Sequence, residues 1–355
     1  MKLMFVYWAM EDQGSGLVIQ GYTEAARALG HEVSVYGRWI PGKINPDIPL
    51  NYSLDIESAD AVVFIFEWTT ELKPGDQLDV ARIVSKVPRD RRVVLDGDGK
   101  YNDLIRVADD YSHTDAAESK RWIDTCDSIS DKICQPTLHP IRSNVIPFLF
   151  YAYNPSWERP LSTDVKGFDM IYVGHSKFRW CSMMRVLQGV EPIRPRLRRI
   201  GVVGYGWDAP PHWAGSMQLE RAYFADTGKL KSLGIEPLPP VRFQYVIDWM
   251  SKGVCNPVLL RSLFSHLRIV TPRLFETVAA DTIPLLVLNP LHVRDIYGEQ
   301  GLELLLPEEA PQEKILDIIH HPARYRDVVM GVRRHFARTH SHAARLRRLI
   351  EIIES

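Results

Sequence analysis

One stretch of the sequence indicates the fold more strongly than any other. It reads Thr271-Pro-Arg-Leu-Phe-Glu-Thr-Val-Ala-Ala280 and runs into the apolar residues 283–288. Thr271 is a typical N-cap, because its hydroxyl can accept a hydrogen bond from a first-turn amide, and Pro272 fits the first helical position. Arg273 is unfavourable beside the positive end of the helix dipole unless an anion binds there. The stretch therefore predicts a helix that begins at an anion site and leads into a buried strand.

The acidic residue of this stretch extends the prediction to a sugar. Glu276 follows Arg273 by three positions, so both side chains lie on one face of the helix. A carboxylate accepts hydrogen bonds from sugar hydroxyls. Phosphate contact beside hydroxyl contact suggests a nucleotide sugar. In the alternative interpretation, Arg273 only pairs with a carboxylate and Glu276 only lies near a helix N-terminus.

With these residues the C-terminal half of the chain resembles the GT-B glycosyltransferases, most closely the spore-protein-like and group 1 retaining branch, which carries a similar "RLFE...A..G.P.L" segment. The resemblance implies two Rossmann-like α/β domains facing each other across a cleft. It also implies that Glu276 binds the donor ribose and that the first helical turn, with Arg273 and Leu274, faces the donor diphosphate.

Apolar strands and amphipathic helices alternate from the first residue, which favours parallel sheets covered on both faces. In the second half the pattern predicts strands over 168–173 and 302–306 and a helix over 241–250. A stretch with two prolines and three aromatic residues, 151–160, is predicted to be a semi-rigid linker. We therefore expect an acceptor domain over 1–150, the linker over 151–160 and a donor domain over 161–330. The segment 331–355 is expected to be a C-terminal helix that crosses back to the first domain. Its basic stretch 333–348 leaves peripheral membrane contact open.

A second turn repeats the anion-site pattern. A strand ends at Gly174, Ser176 is a possible N-cap, and Lys177 and Arg179 would lie in the first helical turn. Helix N-termini at Ser176 and Thr271 would open at the same edge of a parallel sheet. We expect Gly174, Lys177 and Arg179 to help bind the diphosphate. The alternative is a solvated basic face.

Aromatic residues follow the glycine-rich stretch 201–206. Its spacing, GxxGxG, does not fit a dinucleotide-binding fingerprint. Tyr205, Trp207 and Trp213 suit a wall for a nucleobase, with Tyr205 as the donor-site candidate. Ordinary core packing is the alternative, and the more common use of such residues.

Polar residues gather where a predicted strand ends near Asp96. Asp98 and His113 are candidate catalytic residues, because a carboxylate or imidazole there could take a proton from the acceptor if the reaction inverts the sugar. The loop resembles a calcium site only in part, since Lys100 and Val107 replace oxygen ligands. No metal site is predicted.

The loop over 8–16 follows the first predicted strand and points toward the expected cleft. In GT-B relatives a glycine-rich loop here approaches the donor phosphates, which implies such a role for Gly14 and Gly16. By the same resemblance, Asp12 or Glu11 is a candidate base. An exposed acidic turn that caps the next helix is the alternative.

Composition limits the partners. The chain has 355 residues, 25% of them charged, with a net charge of −1 and a pI of about 6.9. No global field attracts nucleic acid, so no nucleic-acid partner is expected. Four cysteines lack metal or disulfide spacing, which favours a reducing cytoplasm. No apolar run approaches the roughly 20 residues of a membrane span.

These observations predict a metal-independent glycosyltransferase without a bound cofactor, which moves a sugar from a nucleotide diphosphate sugar to a glycan, a lipid-linked or a small-molecule acceptor. Two alternatives remain. A nucleotide-sugar 2-epimerase has the same fold. A non-catalytic nucleotide-sugar-binding protein is suggested by Arg268 and Asp281, where active retaining relatives usually differ.

Overall fold

The computed structural model of the chain describes residues 1–7, 15–37, 50–67, 74–107, 110–209 and 225–355. Strands and helices alternate along these residues and build two parallel sheets, each with helices packed against it. The prediction of an α/β fold is confirmed.

The first sheet has seven parallel strands in the order β3-β2-β1-β4-β5-β8-β9. Its strands are β1 (Lys2–Val6), β2 (Glu32–Tyr36), β3 (Tyr52–Ser53), β4 (Ala61–Phe66), β5 (Arg92–Asp96), β8 (Lys132–Gln135) and β9 (Val145–Pro147). A small antiparallel pair precedes β8 and consists of β6 (Arg106–Val107) and β7 (Asp110–Tyr111). The helices are α1 (Ser15–Ala28), α2 (Pro74–Lys86) and α3 (Ala116–Ile129).

The second sheet has five parallel strands in the order β12-β11-β10-β13-β14. They are β10 (Phe168–Val173), β11 (Ile200–Val203), β12 (Glu236–Leu238), β13 (Gly253–Leu259) and β14 (Ile283–Val287). The remaining helices are α4 (Trp180–Val190), α5 (Thr227–Ser232), α6 (Val246–Met250), α7 (Ser262–Leu267), α8 (Pro272–Ala279), α9 (Pro290–Tyr297), α10 (Pro311–His320), α11 (Pro322–Thr339) and α12 (His342–Glu354).

Both sheets are covered on two faces, and both reverse their strand order next to a central strand. Every residue of β4, β5, β10 and β14 is buried, as expected for parallel strands between two helical layers. The order reverses between β1 and β4 in the first sheet and between β10 and β13 in the second. In open α/β sheets ligands bind outside the carboxyl ends of strands at such a point.

Three parts of the predicted pattern are wrong. Strand β13 was not predicted, because its sequence carries Pro257 and Asn256; the ladder to β10 runs only as far as Cys255, before the proline. The predicted strand 302–306 is instead a 3-10 helix over Glu299–Leu304, and Leu305 pairs with Leu286 in a single bridge. The predicted helix over 241–250 is a 3-10 turn, Phe243–Tyr245, followed by the short α6.

The chain passes between the two sheets in the segment 151–160 and again between α11 and α12. The backbone amide of Tyr153 donates to the carbonyl of His340 at 2.8 Å, and Tyr153 forms a parallel bridge with Ser341. Tyr22 of α1 stacks on Phe150 with ring centroids 5.2 Å apart. Helix α12 packs on α1. The crossing is therefore part of the buried core.

The basic stretch 333–348 is two helices, because α11 ends at Thr339 and Ser341 caps α12. Arg333 is buried, and its guanidinium donates to the carbonyls of Val278, Ala279 and Ala280 at 2.9 to 3.0 Å. It thereby satisfies the C-terminal carbonyls of α8. In the described part of the chain, no helix has the length and hydropathy of a membrane span.

Candidate active site between the two sheets

Two turns are locked together where β10 and β11 end. The amide of Gly174 donates to the carbonyl of Val203 at 2.8 Å, and the amide of Ser176 donates to that of Tyr205 at 2.9 Å. Gly204 has a φ of +139°, and a Cβ there would lie 2.4 Å from the carbonyl oxygen of Gly174. Only glycine fits this close approach. The turn after β10 is therefore held firmly at the edge of the second sheet.

The helix predicted to begin at Ser176 begins later. Phe178 is left-handed with a φ of +59°, which interrupts the helix, and α4 starts at Trp180. The prediction that Ser176 caps it is wrong. Lys177 and Arg179 lie in the turn before the helix. The Ser176 hydroxyl is buried and has no hydrogen-bond partner among the described residues.

Helix α8 begins as predicted but is not capped as predicted. Thr271 has the extended conformation of an N-cap residue, yet its side chain makes no capping hydrogen bond. Arg273 Nη1 lies 3.4 Å from Glu276 Oε2, so the predicted alternative pairing exists in this structure. That nitrogen is buried and forms no hydrogen bond within the described residues. Leu274 lies wholly in the hydrophobic core, so its side chain does not face the cleft.

Four cationic side chains converge at this edge, and we name them the cationic cluster: Lys177, Arg179, Arg261 and Arg273. Burial, together with the charges of Arg179, Arg273 and Lys177, lowers the pKa of His175 to about 3. Burial and the charge of Arg261 also lower the pKa of both Lys177 and Arg179. Like charges are crowded here at a cost in free energy that a bound anion would offset.

Arg179 is the least satisfied member of the cluster. Its Nη1 atom is buried without a hydrogen-bond partner, and no carboxylate pairs with it in the described ranges. A buried guanidinium nitrogen is costly to leave without an acceptor. Together with Ser176 Oγ and Arg273 Nη1, it forms a set of donors suited to phosphate oxygens.

Arg261 follows β13 and is held by the other half of the molecule. Its Nε donates to Asp110 Oδ2 at 2.9 Å, and its Nη2 donates to Asp110 Oδ1. Asp110 belongs to β7, which lies between β5 and β8 in the chain. Both side chains are buried. This ion pair joins the two halves of the molecule within the cationic cluster.

The loop after β5 presents Asp98 to the same cleft. Asp96 is fully buried and accepts hydrogen bonds from the amides of Lys100 and Tyr101 at 3.0 and 2.7 Å, which closes a tight turn. Gly99 has a φ of +71°, and a Cβ there would lie 2.5 Å from a side-chain carbon of Leu267. The charge of Asp98 raises the pKa of Lys177, against the effect of burial. Asp98 therefore faces the cationic cluster.

The other catalytic candidates differ in position. His113 is buried and bonded through Nε2 to the Lys100 carbonyl. Because a carbonyl only accepts, Nε2 carries the proton and Nδ1 is left unprotonated and buried. His113 thus supports the Asp98 loop. Gly16 is buried in the first turn of α1, whereas Glu11, Asp12 and Gly14 lie outside the described residues.

One acidic residue of the cleft was not predicted. Glu67 directly follows β4 and accepts hydrogen bonds from the hydroxyls of Tyr7 at 3.2 Å and Tyr151 at 3.4 Å. Burial and the charge of Asp98 outweigh the opposite effect of Ser15 and both tyrosines and raise the pKa of Glu67 to about 7. Its position after a buried strand was the available signal, the same one that identified Asp98.

The aromatic candidates separate into two kinds. Trp207 is buried, donates from Nε1 to the Gly174 carbonyl at 2.6 Å and packs edge-on against Tyr172. The packing interpretation is therefore confirmed for Trp207. Tyr205 is 65% exposed beside Ser176, so its ring is available to a ligand. Trp213 lies outside the described residues.

No family model matches the chain, and a comparison with curated proteins finds no match. Solved structures with the same fold exist. T4 phage β-glucosyltransferase matches with a TM-score of 0.59 at 10% identity, with 100% of each chain covered. The T4 phage enzyme in complex with its UDP-glucose substrate gives a TM-score of 0.60 at 10% identity, again over 100% of each chain. An α-glucosyltransferase in complex with UDP and a 13-mer DNA gives 0.66 at 13% identity, covering 100% of this chain and 99% of the other.

The fold is therefore the GT-B fold, with two Rossmann-like units as predicted. The prediction that nucleic acid is not a partner is wrong, because α-glucosyltransferase structures that share this fold were solved in complex with DNA. Net charge misled the prediction, since a chain with a balanced total can still carry a local basic site.

Proposed function

We propose that this protein is a glucosyltransferase that transfers glucose from UDP-glucose to a hydroxyl group carried by DNA. The observation that carries the proposal is the cationic cluster at the strand-order reversal of the second sheet, with buried donors on Arg179, Arg273 and Ser176 that lack hydrogen-bond partners among the described residues. The assignment to the group 1 branch and the cytoplasmic location stay predictions.

The donor would lie along the edge of the second sheet. The diphosphate would accept hydrogen bonds from Arg179, Arg273 and Ser176, which would relieve the repulsion within the cluster. Glu276 lies beside Arg273 and would accept hydrogen bonds from the ribose hydroxyls. Tyr205 is exposed next to Ser176 and could stack on the base. Glucose and uridine are proposed because the T4 phage enzyme of this fold has UDP-glucose as its substrate.

DNA is proposed as the acceptor on the strength of the α-glucosyltransferase complexes, one of which holds DNA containing a HMU base. Glycosyl transfer to oxygen needs a hydroxyl, which the four ordinary bases do not have. The acceptor is therefore a base that bears a hydroxyl substituent. Such a base inside a duplex has to leave the stack before it can reach an enclosed cleft.

Asp98 is the proposed general base. Its carboxylate takes the proton of the acceptor hydroxyl, the hydroxyl oxygen attacks C1 of glucose, and UDP leaves with the electron pair of the broken bond. The cationic cluster stabilises the charge that develops on the leaving diphosphate, in the role that a metal ion has in other transferases. A base on one side of the sugar and a leaving group on the other predict inversion at C1.

The proposal is tested by incubating the purified protein with radiolabelled UDP-glucose and DNA duplexes that differ only in one hydroxymethyl base. We expect label in the modified duplex alone, unchanged when a chelator is present. Label in neither duplex, despite binding of UDP-glucose, would instead support the non-catalytic alternative. Conversion of the sugar without DNA, detected by sugar isomer analysis, would support the epimerase.

A further inference from the structure

Asp110 belongs to the first half of the molecule, but its carboxylate lies within the cationic cluster of the second half. It accepts from Arg261 Nε at 2.9 Å and from the backbone amide of Leu263 at 2.9 Å, besides its contact with Arg261 Nη2. The guanidinium of Arg261 also lies over the rings of Phe178 and Phe264, at 4.1 and 4.9 Å from their centroids. Arg261 is thus held by an ion pair and by two aromatic rings.

The pair acts electrically on the rest of the cluster. Arg261 lowers the pKa of Lys177 and of Arg179, and Asp110 raises that of Arg179. Asp110 is therefore close enough to cancel part of the field that any anion at Arg179 would experience. Glu276 has a similar relation to Arg273, at 3.4 Å.

We propose that Asp110 is a built-in counter-anion that weakens the hold of the cationic cluster on the nucleoside diphosphate product and so promotes its release. The inference rests on the proposed function of the cluster as the diphosphate site. It goes beyond that function because it assigns to Asp110 a role in discriminating product from donor.

The discrimination follows from charge. In an intact nucleotide sugar each phosphate carries one negative charge, because both are esterified. After transfer, the terminal phosphate of the product has a second ionisable group with a pKa near 6, so at pH 7 to 8 the product is more negative. A negative side chain beside the site therefore penalises the product more than the donor. Removing that charge should tighten the binding of UDP more than that of UDP-glucose.

Asp169 offers a matched control. It lies in β10, at the amino end of the strand, away from the cationic cluster. Asp169 is buried and accepts from Arg198 Nε at 2.9 Å and Nη2 at 2.6 Å, and from the Arg198 amide at 2.7 Å. It thus resembles Asp110 in burial, in an arginine that donates through two nitrogens and in its backbone donor.

The test measures UDP and UDP-glucose binding by calorimetry in wild type, Asp110→Asn and Asp169→Asn. In Asp110→Asn we expect roughly tenfold tighter UDP binding, a smaller gain for UDP-glucose and a lower kcat. Asp169→Asn should lose stability without a change in either affinity. A purely structural role for Asp110 predicts the opposite sign, since a loosened site binds UDP more weakly.

Two further variants keep the inference testable if Asp110→Asn folds poorly. Asp110→Ser retains an acceptor for the Leu263 amide and should also tighten UDP binding. Arg261→Gln removes a cation while leaving Asp110 in place, and it should weaken UDP binding at least tenfold. If wild type binds UDP and the Asp110 variants bind it no more tightly, the inference is wrong while the proposed function stands. If wild type binds no nucleoside diphosphate, the proposed function itself fails.

Discussion

The carboxyl edges of the two sheets differ in charge and in how far their charged groups are satisfied. At the first sheet, the acids are held by many donors: Asp96 accepts from two backbone amides and from Gln135, and Glu67 from two tyrosines. At the second sheet, Arg179 and Ser176 have buried atoms without partners in the described ranges. An edge whose acidic groups are held by donors suits a rigid catalytic platform, whereas a cationic edge whose buried donors lack acceptors suits a site that an anionic ligand completes.

The contrast also assigns roles to the acidic residues of the first half that act on cations of the second half. Asp98 and Asp110 come from the acidic edge and both act on cations of the other edge. Asp98 is held by a tight turn and faces the cleft, whereas Asp110 forms an ion pair with Arg261. The four predictions below test this division, from the largest expected effect to the smallest.

Removing the proposed base should have the largest effect. Asp98→Asn keeps the size of the side chain but cannot take a proton, so we expect kcat for transfer to DNA to fall by about 10² to 10⁴ with no loss of UDP-glucose affinity. Rapid-quench assays and calorimetry would measure the two quantities. Asp103→Asn, at an exposed carboxylate on the same loop, is the control. Equal losses in both variants would remove the special role of Asp98.

Removing the least satisfied cation should weaken the donor site. Arg179→Ala removes the guanidinium whose buried Nη1 has no partner among the described residues, and we expect UDP to bind about 10 to 100 times more weakly. Arg185→Ala is the control, because Arg185 lies in the helix that Arg179 precedes and pairs at 3.7 Å with the exposed Glu308. Binding that is unaffected in Arg179→Ala would mean that the diphosphate lies elsewhere.

The close contact between the Asp98 loop and the second half should be sensitive to one methyl group. Gly99→Ala adds both a strained φ and a clash with Leu267 and Ile269, so we expect a loss of about 2 to 4 kcal/mol of stability. Gly30→Ala has a nearly equal φ of +75° with open space around it and should cost only about 1 to 2 kcal/mol. Denaturant unfolding of both variants measures the difference. No difference would show that the loop is not locked.

Glu67 predicts a pH dependence of stability. Its pKa is raised to about 7 in the folded protein, so the folded state binds the proton more tightly than the unfolded chain does. Its stabilising contribution is therefore present below about pH 4.5 and is lost as the pH rises through 7. In Glu67→Gln this loss disappears, and we expect the variant to gain up to about 2 kcal/mol relative to wild type between pH 5 and 8. A constant difference across that range would contradict the raised pKa.

Several elements were predictable because their signals are local. The strand Phe168–Val173 matches its prediction residue for residue, since a continuous apolar run between polar residues leaves few alternatives. Helix α8 begins where its Thr-Pro pair predicts, because Pro272 fixes the backbone angle of the first turn. The positions of Asp98, Lys177 and Arg273 at strand ends or helix starts were likewise read from local pattern.

Other elements depended on information from distant parts of the chain. Strand β13 forms although it carries a proline, because β10 and β14 offer partners on both sides. The helix expected at Ser176 is delayed because the turn is tied to Gly204 and Tyr205 on another strand. Arg261 and Asp110 are separated by 151 positions, and nothing in either segment predicts their ion pair.

The sequence by itself determined the α/β class, most strand positions and the residue types able to bind a diphosphate, since these follow from apolar periodicity and from charges at chain turns. The tertiary structure decided which charges meet. Electrostatic energy depends on distance and on burial, and neither is fixed until the two sheets close on each other. A net charge of −1 therefore gave no sign of four cations gathered at one edge, or of Asp98 and Asp110 from the other half that act on them.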